Sequence, residues 1–237
     1  MAIYALTGPR LYTGERFLDD HAVVIDGDTI TAILPHAALP AGIEVKTRNG
    51  GLLVPGFIDA QVNGGGGVLF NATPTPSALA QLAHAHARYG TTALLPTFIT
   101  DDAAGMVAAI EAVRAAIAAK VPGVIGLHLE GPFLSKARKG AHDPDLIRLL
   151  TEADADALLA TGLQTVLLTL APETVPPALI AKLAAGGIIV SLGHTEATYE
   201  AAMTAADAGA RGVTHLFQRH VAARAPRPRR GWRGPHP

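Results

Sequence analysis

Residues 188–217 read "IIVSLGHTEATYEAAMTAADAGARGVTHLF". The apolar run that opens this stretch ends at Gly193 and His194. Thr195 then offers a helix N-cap, Glu196 an acid in the first turn, and Gly209 a stop, with an alanine-rich helical stretch between them. A second apolar run follows and carries His215. Strand, helix, strand in this order is one parallel βα unit. The two histidines therefore belong at the C-terminal ends of neighbouring parallel strands.

The same rhythm extends back to Pro55. Apolar runs "GFIDAQVN", "TTALLPTFIT", "VIGLHLEG" and "TVLLTLAPE" alternate with helical stretches "TPSALAQLAHAHARYG", "DDAAGMVAAIEAVRAAIAAK", "DPDLIRLLTEADADALLATG" and "PPALIAKLAAGG". Six such strands begin roughly 32 residues apart, and a closed eight-unit barrel at that spacing takes roughly 250 residues. The expected fold is thus α/β: an incomplete TIM-type (β/α) barrel of about six of eight units, over residues 54–217. Residues 1–53 carry short β-like runs instead, with a hairpin signal in "DGDTI", and are expected to form a small β subdomain. Residues 218–237 form a third segment, rich in Pro and Arg.

Composition narrows the function. Nearly half of the residues are apolar and 16% are charged, which suits a globular protein with a substantial core. The net charge of −1 hides two opposites, because the last twenty residues hold six arginines and no acid and the first 217 carry −7. A mildly acidic body offers no footprint for nucleic acid. There is no cysteine, so metal donors are limited to histidine and carboxylate. The opening "MAIYALTGPRLYTGERF" lacks the pattern of a secretion signal, and no apolar run is long enough to span a bilayer. A cytoplasmic protein with no membrane partner is expected.

In a β/α barrel the chemistry lies where strands end, and these ends are polar: Gln61 and Asn63, then Thr97, Glu130, Glu173, His194 and His215. Glu130 closes "GLHLE" just before a Gly-Pro turn. One carboxylate and two imidazoles that converge, with room for water, suit Zn²⁺, and also Fe²⁺ or Mn²⁺. The alternative is three unrelated polar residues, each satisfied by its own hydrogen bonds. His84 and His86 form an HxH pair, but on a helix such residues point nearly opposite ways and so read as surface or packing residues. The run Asn63–Gly67, "NGGGG", lacks the Lys-Ser/Thr of a P-loop and reads as a close approach to a ligand or metal. The loop "KARKGAHDP" (136–144) follows Glu130, and over a pocket its basic residues and His142 would suit an anionic sugar.

Taken in order, "LLVPGFIDAQVNGGGG", "GTTALLPTFIT", "GLHLEGPFLSKARKGAHDPDLI", "LAPE", "VSLGHTEATYEAA" and "GVTHLF" resemble the N-acetylglucosamine-6-phosphate deacetylases of the amidohydrolase superfamily. The resemblance covers about residues 1–217, is most specific in "HLEGPF" followed by "KGAH", and implies a TIM-like barrel with a small N-terminal β-sandwich subdomain that returning C-terminal strands complete. It implies Glu130, His194 and His215 as ligands of one divalent metal, zinc first, with iron, manganese or cobalt as alternatives. It implies Ala141 and His142 at the substrate, with Gln61 and Asn63 beside them where two-metal relatives carry HxH. The implied reaction is hydrolysis of the N-acetyl group of N-acetylglucosamine 6-phosphate, and the implied assembly a homo-oligomer. The metal polarises the amide, and an aspartate on the last barrel strand moves the proton. A dihydroorotase-like hydrolase is disfavoured, because Gln61 and Asn63 stand where it needs histidines.

That aspartate is absent, since the pattern stops at Phe217. Relatives continue "HLF" with a segment like "NAMSP". Written as codons and read one base later, the tail from Gln218 is compatible with "NAMSPLAPRAPGVVGAALT". The tail therefore reads as out-of-frame translation of a GC-rich gene. The alternative, a basic extension for nucleic acid or anionic lipid, is disfavoured by its single aromatic and the lack of a folded basic face. On this reading the family's catalytic aspartate lies beyond the chain, which is expected to be inactive or at most to bind metal or sugar phosphate.

Overall fold

The structure, a computed structural model, describes residues 3–216. The tail 218–237, Phe217 and the frame reading that rests on them lie outside the described residues. Two compact units divide the chain, one ending at Gly56 and the other beginning at Phe57; the sequence reading put its break after residue 53.

The first unit holds two small sheets. β1 (Tyr4–Thr7), β4 (His21–Asp26), β5 (Thr29–Pro35) and β6 (Glu44–Thr47) form one, in the order β5-β4-β1-β6. β2 (Arg10–Tyr12), β3 (Phe17–Leu18) and β7 (Leu52–Leu53) form the other, in the order β3-β2-β7. The "DGDTI" signal is the β4–β5 hairpin, whose strands pair antiparallel from Asp26 and Thr29 outward around Gly27 and Asp28. Gly27 takes φ 61°, the backbone such tight hairpin loops require.

The second unit is a parallel sheet of six strands in the order β15-β14-β13-β12-β11-β8. Its strands are β8 (Phe57–Val62), β11 (Thr91–Ile99), β12 (Leu127–Glu130), β13 (Val166–Leu170), β14 (Ile189–Leu192) and β15 (Gly212–Val213). Each of the last five pairs with the preceding strand of this sheet, which is the incomplete barrel read from the sequence. A small hairpin, β9 (Gly64–Gly65) with β10 (Val68–Leu69), follows β8. The helices are α1 (Pro76–Ala87), α2 (Ala103–Ala118), α3 (Glu152–Leu159), α4 (Pro177–Ala185) and α5 (Tyr199–Asp207). Thr75 caps α1 by accepting from Ala78 N, and Pro76 takes the first helical position, where its missing N–H costs nothing.

Strand alternation explains the core. Leu127 and Leu129 of β12, Val166, Leu168 and Leu170 of β13, and Val190 and Leu192 of β14 join the helices in one apolar cluster. The residues between them face the other way, and that face is polar. His128 Nε2 lies 2.8 Å from Thr169 Oγ1, Thr169 Oγ1 2.8 Å from Thr214 Oγ1, and Thr214 Oγ1 2.6 Å from Ser191 Oγ. Thr97 Oγ1 closes the chain on His128 Nδ1 at 3.2 Å. Every member is buried, and each hydroxyl finds a partner, which a buried polar group requires.

Two helix boundaries differ from the sequence reading. The stretch 143–162 is helical only from Glu152, because Thr151 and Asp154 form a capping box there. The Arg148 guanidinium locks it, donating to both Asp154 oxygens at 2.6 and 2.8 Å. The helix after His194 begins at Tyr199 with Thr198 as its cap, not Thr195. Thr195 donates its hydroxyl to the Glu173 carboxylate, which also accepts from Glu196 N at 2.7 Å. That carboxylate competes for the donors a helix start would otherwise leave open.

Candidate metal centre

Glu130 is the last residue of β12, shares the polar face with His128, and is buried. His194 follows β14 and His215 follows β15, so three strand ends meet. Glu130 Oε1 lies 3.0 Å from His194 Nε2 and 2.8 Å from His215 Nε2. Gln61, near the end of β8, donates from Nε2 to the other oxygen, Oε2, at 2.9 Å. Both histidines take left-handed backbone, φ 50° for His194 and φ 57° for His215. Such conformations cost about 1–2 kcal/mol in non-glycine residues and cluster at functional sites.

His194 Nδ1 donates to the Arg138 carbonyl oxygen at 2.9 Å. A neutral His194 then carries only a lone pair at Nε2, yet that atom faces a carboxylate oxygen, which also only accepts. The gap calls for a cation, either a proton on the ring or a metal ion. Burial opposes charge on His194, but the Glu130 carboxylate and the Arg138 carbonyl overcome it and hold its pKa above the usual histidine value. Burial would raise Glu130, but hydrogen bonds from His194 and His215 and the charge of His194 pull it down to about 2. The three ligand atoms lie within 4.8 Å of one another. Two imidazole nitrogens and one carboxylate oxygen beside an open cavity fit a catalytic-type zinc or a similar divalent ion. The carbonyl that orients His194 is the outer support such ligands use.

The cavity, about 760 Å³, is also lined by Gln61, Asn63, Arg138, Ala141 and His142, and Glu130 is the one carboxylate among its lining residues. His142 is buried with its ring 4.4 Å from that of His194. Burial first, and then the charge of His194, push its pKa down to about 4. Glu173 and Thr97, polar strand-end residues in the sequence reading, do not line this cavity. Glu173 secures the loop after β14, and Thr97 belongs to the buried hydroxyl chain. His84 is exposed, and His86 donates from Nε2 to the Gly64 carbonyl at 3.0 Å. Within the glycine run, Gly65 packs closely, since a Cβ there would lie 2.6 Å from His86 Nε2. Sequence reasoning missed His128. Its signal was the alternation in "HLE", which puts it on the face of Glu130.

Residues 3–53 match the NagA composite domain, and residues 52–225 match the amidohydrolase family. The chain belongs to the amidohydrolase family. The relatives it resembles within that family include N-acetylhexosamine-6-phosphate deacetylases. It is 49% identical over 187 residues to N-acetylgalactosamine-6-phosphate deacetylase of Shewanella sp. strain ANA-3, covering 79% of this chain and 45% of that protein. It is 38% identical to N-acetylglucosamine-6-phosphate deacetylase of Haemophilus influenzae, covering 90% of this chain and 56% of that one. The crystal structure of the Pasteurella multocida N-acetylglucosamine-6-phosphate deacetylase superposes with a TM-score of 0.84 at 37% identity, over 90% of this chain and 56% of that one. A Mycobacterium smegmatis mutant enzyme in complex with N-acetyl-D-glucosamine-6-phosphate gives 0.81 at 33% identity, over 92% and 56%. This amidohydrolase chain thus spans about half the length of the curated relatives it matches.

Proposed function

We propose that the cavity at the ends of β12, β14 and β15 is the metal half of an N-acetylhexosamine-6-phosphate deacetylase site, with N-acetylglucosamine 6-phosphate as the favoured ligand. Glu130 Oε1, His194 Nε2 and His215 Nε2 would hold one divalent cation, zinc first. The cation, when bound, supplies a Lewis acid for the acyl oxygen and lowers the pKa of water. The observation that carries this reading is the Glu130 carboxylate facing two imidazole nitrogens, one of which has its other N–H committed to a carbonyl.

The remaining residues bind and orient. Gln61 holds Glu130 Oε2, so that Oε1 is left for the cation; an amide is a poor zinc ligand, which keeps the site to one metal. His142 donates to the acyl group, Asn63 and Ala141 shape the sugar subsite, and the Arg138 guanidinium suits an anion such as phosphate. No second carboxylate lines the cavity among the described residues, so they supply no carboxylate that could carry a proton to the leaving amine. Lost general acid–base catalysis costs about 10²–10⁴-fold. The favoured reading for this chain by itself is therefore binding with little or no turnover.

The test is metal content by plasma mass spectrometry, followed by calorimetry and acetate release with N-acetylglucosamine 6-phosphate and its galactosamine epimer. One equivalent of metal, sugar-phosphate binding and acetate release at least about 10²-fold below a full-length relative are expected. Binding of neither metal nor sugar phosphate would sink the reading, and turnover equal to a full-length relative would overturn the account of the missing proton carrier.

A further inference from the structure

Thr100 follows β11 and is buried, as is His142 on the loop after β12. The backbone N–H of Thr100 donates to His142 Nδ1 at 3.3 Å. A backbone amide can only donate, so this long contact biases Nδ1 toward the acceptor role, in which the neutral ring carries its hydrogen on Nε2. The Thr100 hydroxyl oxygen lies 2.8 Å from the same Nδ1 and, as the shorter contact, donates the stronger hydrogen bond to its lone pair. Its other neighbour, the Glu130 carbonyl oxygen, is 3.5 Å away, too long to compete. Gly131 makes this approach possible. A Cβ there would stand 2.3 Å from Thr100 Oγ1, and its φ of 90° suits glycine.

We propose that Thr100 is a positioning residue that holds His142 in the Nε2–H tautomer, so that the ring presents a donor, not a lone pair, to the cavity. This explains why a third imidazole, 4.4 Å from the His194 ring, stays out of the ligand set: its second nitrogen carries a proton. The same proton is what a substrate acyl oxygen can accept. That last step rests on the reading in which the sugar phosphate enters this cavity; the tautomer does not.

The experiment is long-range ¹H–¹⁵N correlation on histidine-labelled full chain, with and without zinc, using His142→Gln to assign the resonance. His142 Nδ1 should resonate as an unprotonated nitrogen and Nε2 as a protonated one. Thr100→Ser, which keeps the hydroxyl, should reproduce that pattern, whereas Thr100→Val, left with only the 3.3 Å backbone contact, should move both nitrogens part of the way toward averaged values. A protonated Nδ1 in the wild-type chain overturns the proposal without any variant. Unchanged nitrogens in Thr100→Val, or in Thr100→Ala should the valine variant not fold, overturn it as well. Titration with N-acetylglucosamine 6-phosphate separates the two readings. If it shifts Nε2–H, the substrate step stands. If no histidine moves, that step fails while the tautomer assignment is judged by the first spectra alone.

Discussion

At the residue scale the centre depends on backbone as much as on side chains. His215 holds a left-handed conformation that asparagine tolerates and a β-branched residue does not. His215→Asn should therefore abolish stoichiometric metal binding while leaving the metal-free melting temperature close to wild type. His215→Val should lose the metal and also about 1–2 kcal/mol of stability. Calorimetric metal titration and thermal melts in chelator check both, and equal melting of the two variants would remove the strain argument. The residue types of the candidate metal centre were legible in the sequence because histidine and glutamate stand out at the ends of apolar runs. Their partners were not. The Arg138 carbonyl behind His194 and the Gln61 amide behind Glu130 are brought there from distant parts of the chain.

At the element scale, strand order and most helices could be read from period and punctuation, and the errors fell where two caps competed. Thr151 and Asp154 start α3 late because Arg148 supports Asp154 from outside the helix. The hydrogen bonds from Arg148, aided by those from Thr151, hold the Asp154 carboxyl down to about 2. A depressed carboxyl stabilises the fold above its unfolded pKa, near 4, and loses that contribution as pH falls toward 2. The site is open to water on one side and the pair is screened, so Asp154→Asn should cost about 0.5–1 kcal/mol at pH 7. The gap between wild type and variant in urea melts should narrow at pH 3. A gap that is unchanged at pH 3 would mean that the cap, and not the charge, carries it.

At the scale of the whole molecule, the parallel sheet ends in β8 on one side and β15 on the other among the described residues. Phe57 and Ile58 on β8 are 65% and 70% exposed, and Val213 on β15 is 52% exposed. Apolar edge strands invite pairing between molecules, and a lysine on such an edge opposes it. Ile58→Lys should reduce concentration-dependent light scattering without altering metal stoichiometry; scattering equal to wild type would place the sticky surface elsewhere. Sequence alone determined the βα alternation, the hairpin at Gly27 and the presence of one carboxylate and two imidazoles at strand ends. Each of these follows from residues a few positions apart. Only the tertiary structure decided that Glu130 enters the cavity while Glu173, an equally polar strand-end carboxylate, ties down the loop at Thr195. Both are acids after apolar runs; the Gly-Pro turn and the "HLEGPF" motif mark Glu130, but nothing beside Glu173 in the sequence indicates its role. Their fates separate because Glu130 still lies within its strand, on the polar face, whereas Glu173 lies past its strand in a short turn beside another loop's N–H groups. Which donors surround an acid is set by chain segments far away in sequence, and folding alone brings them together.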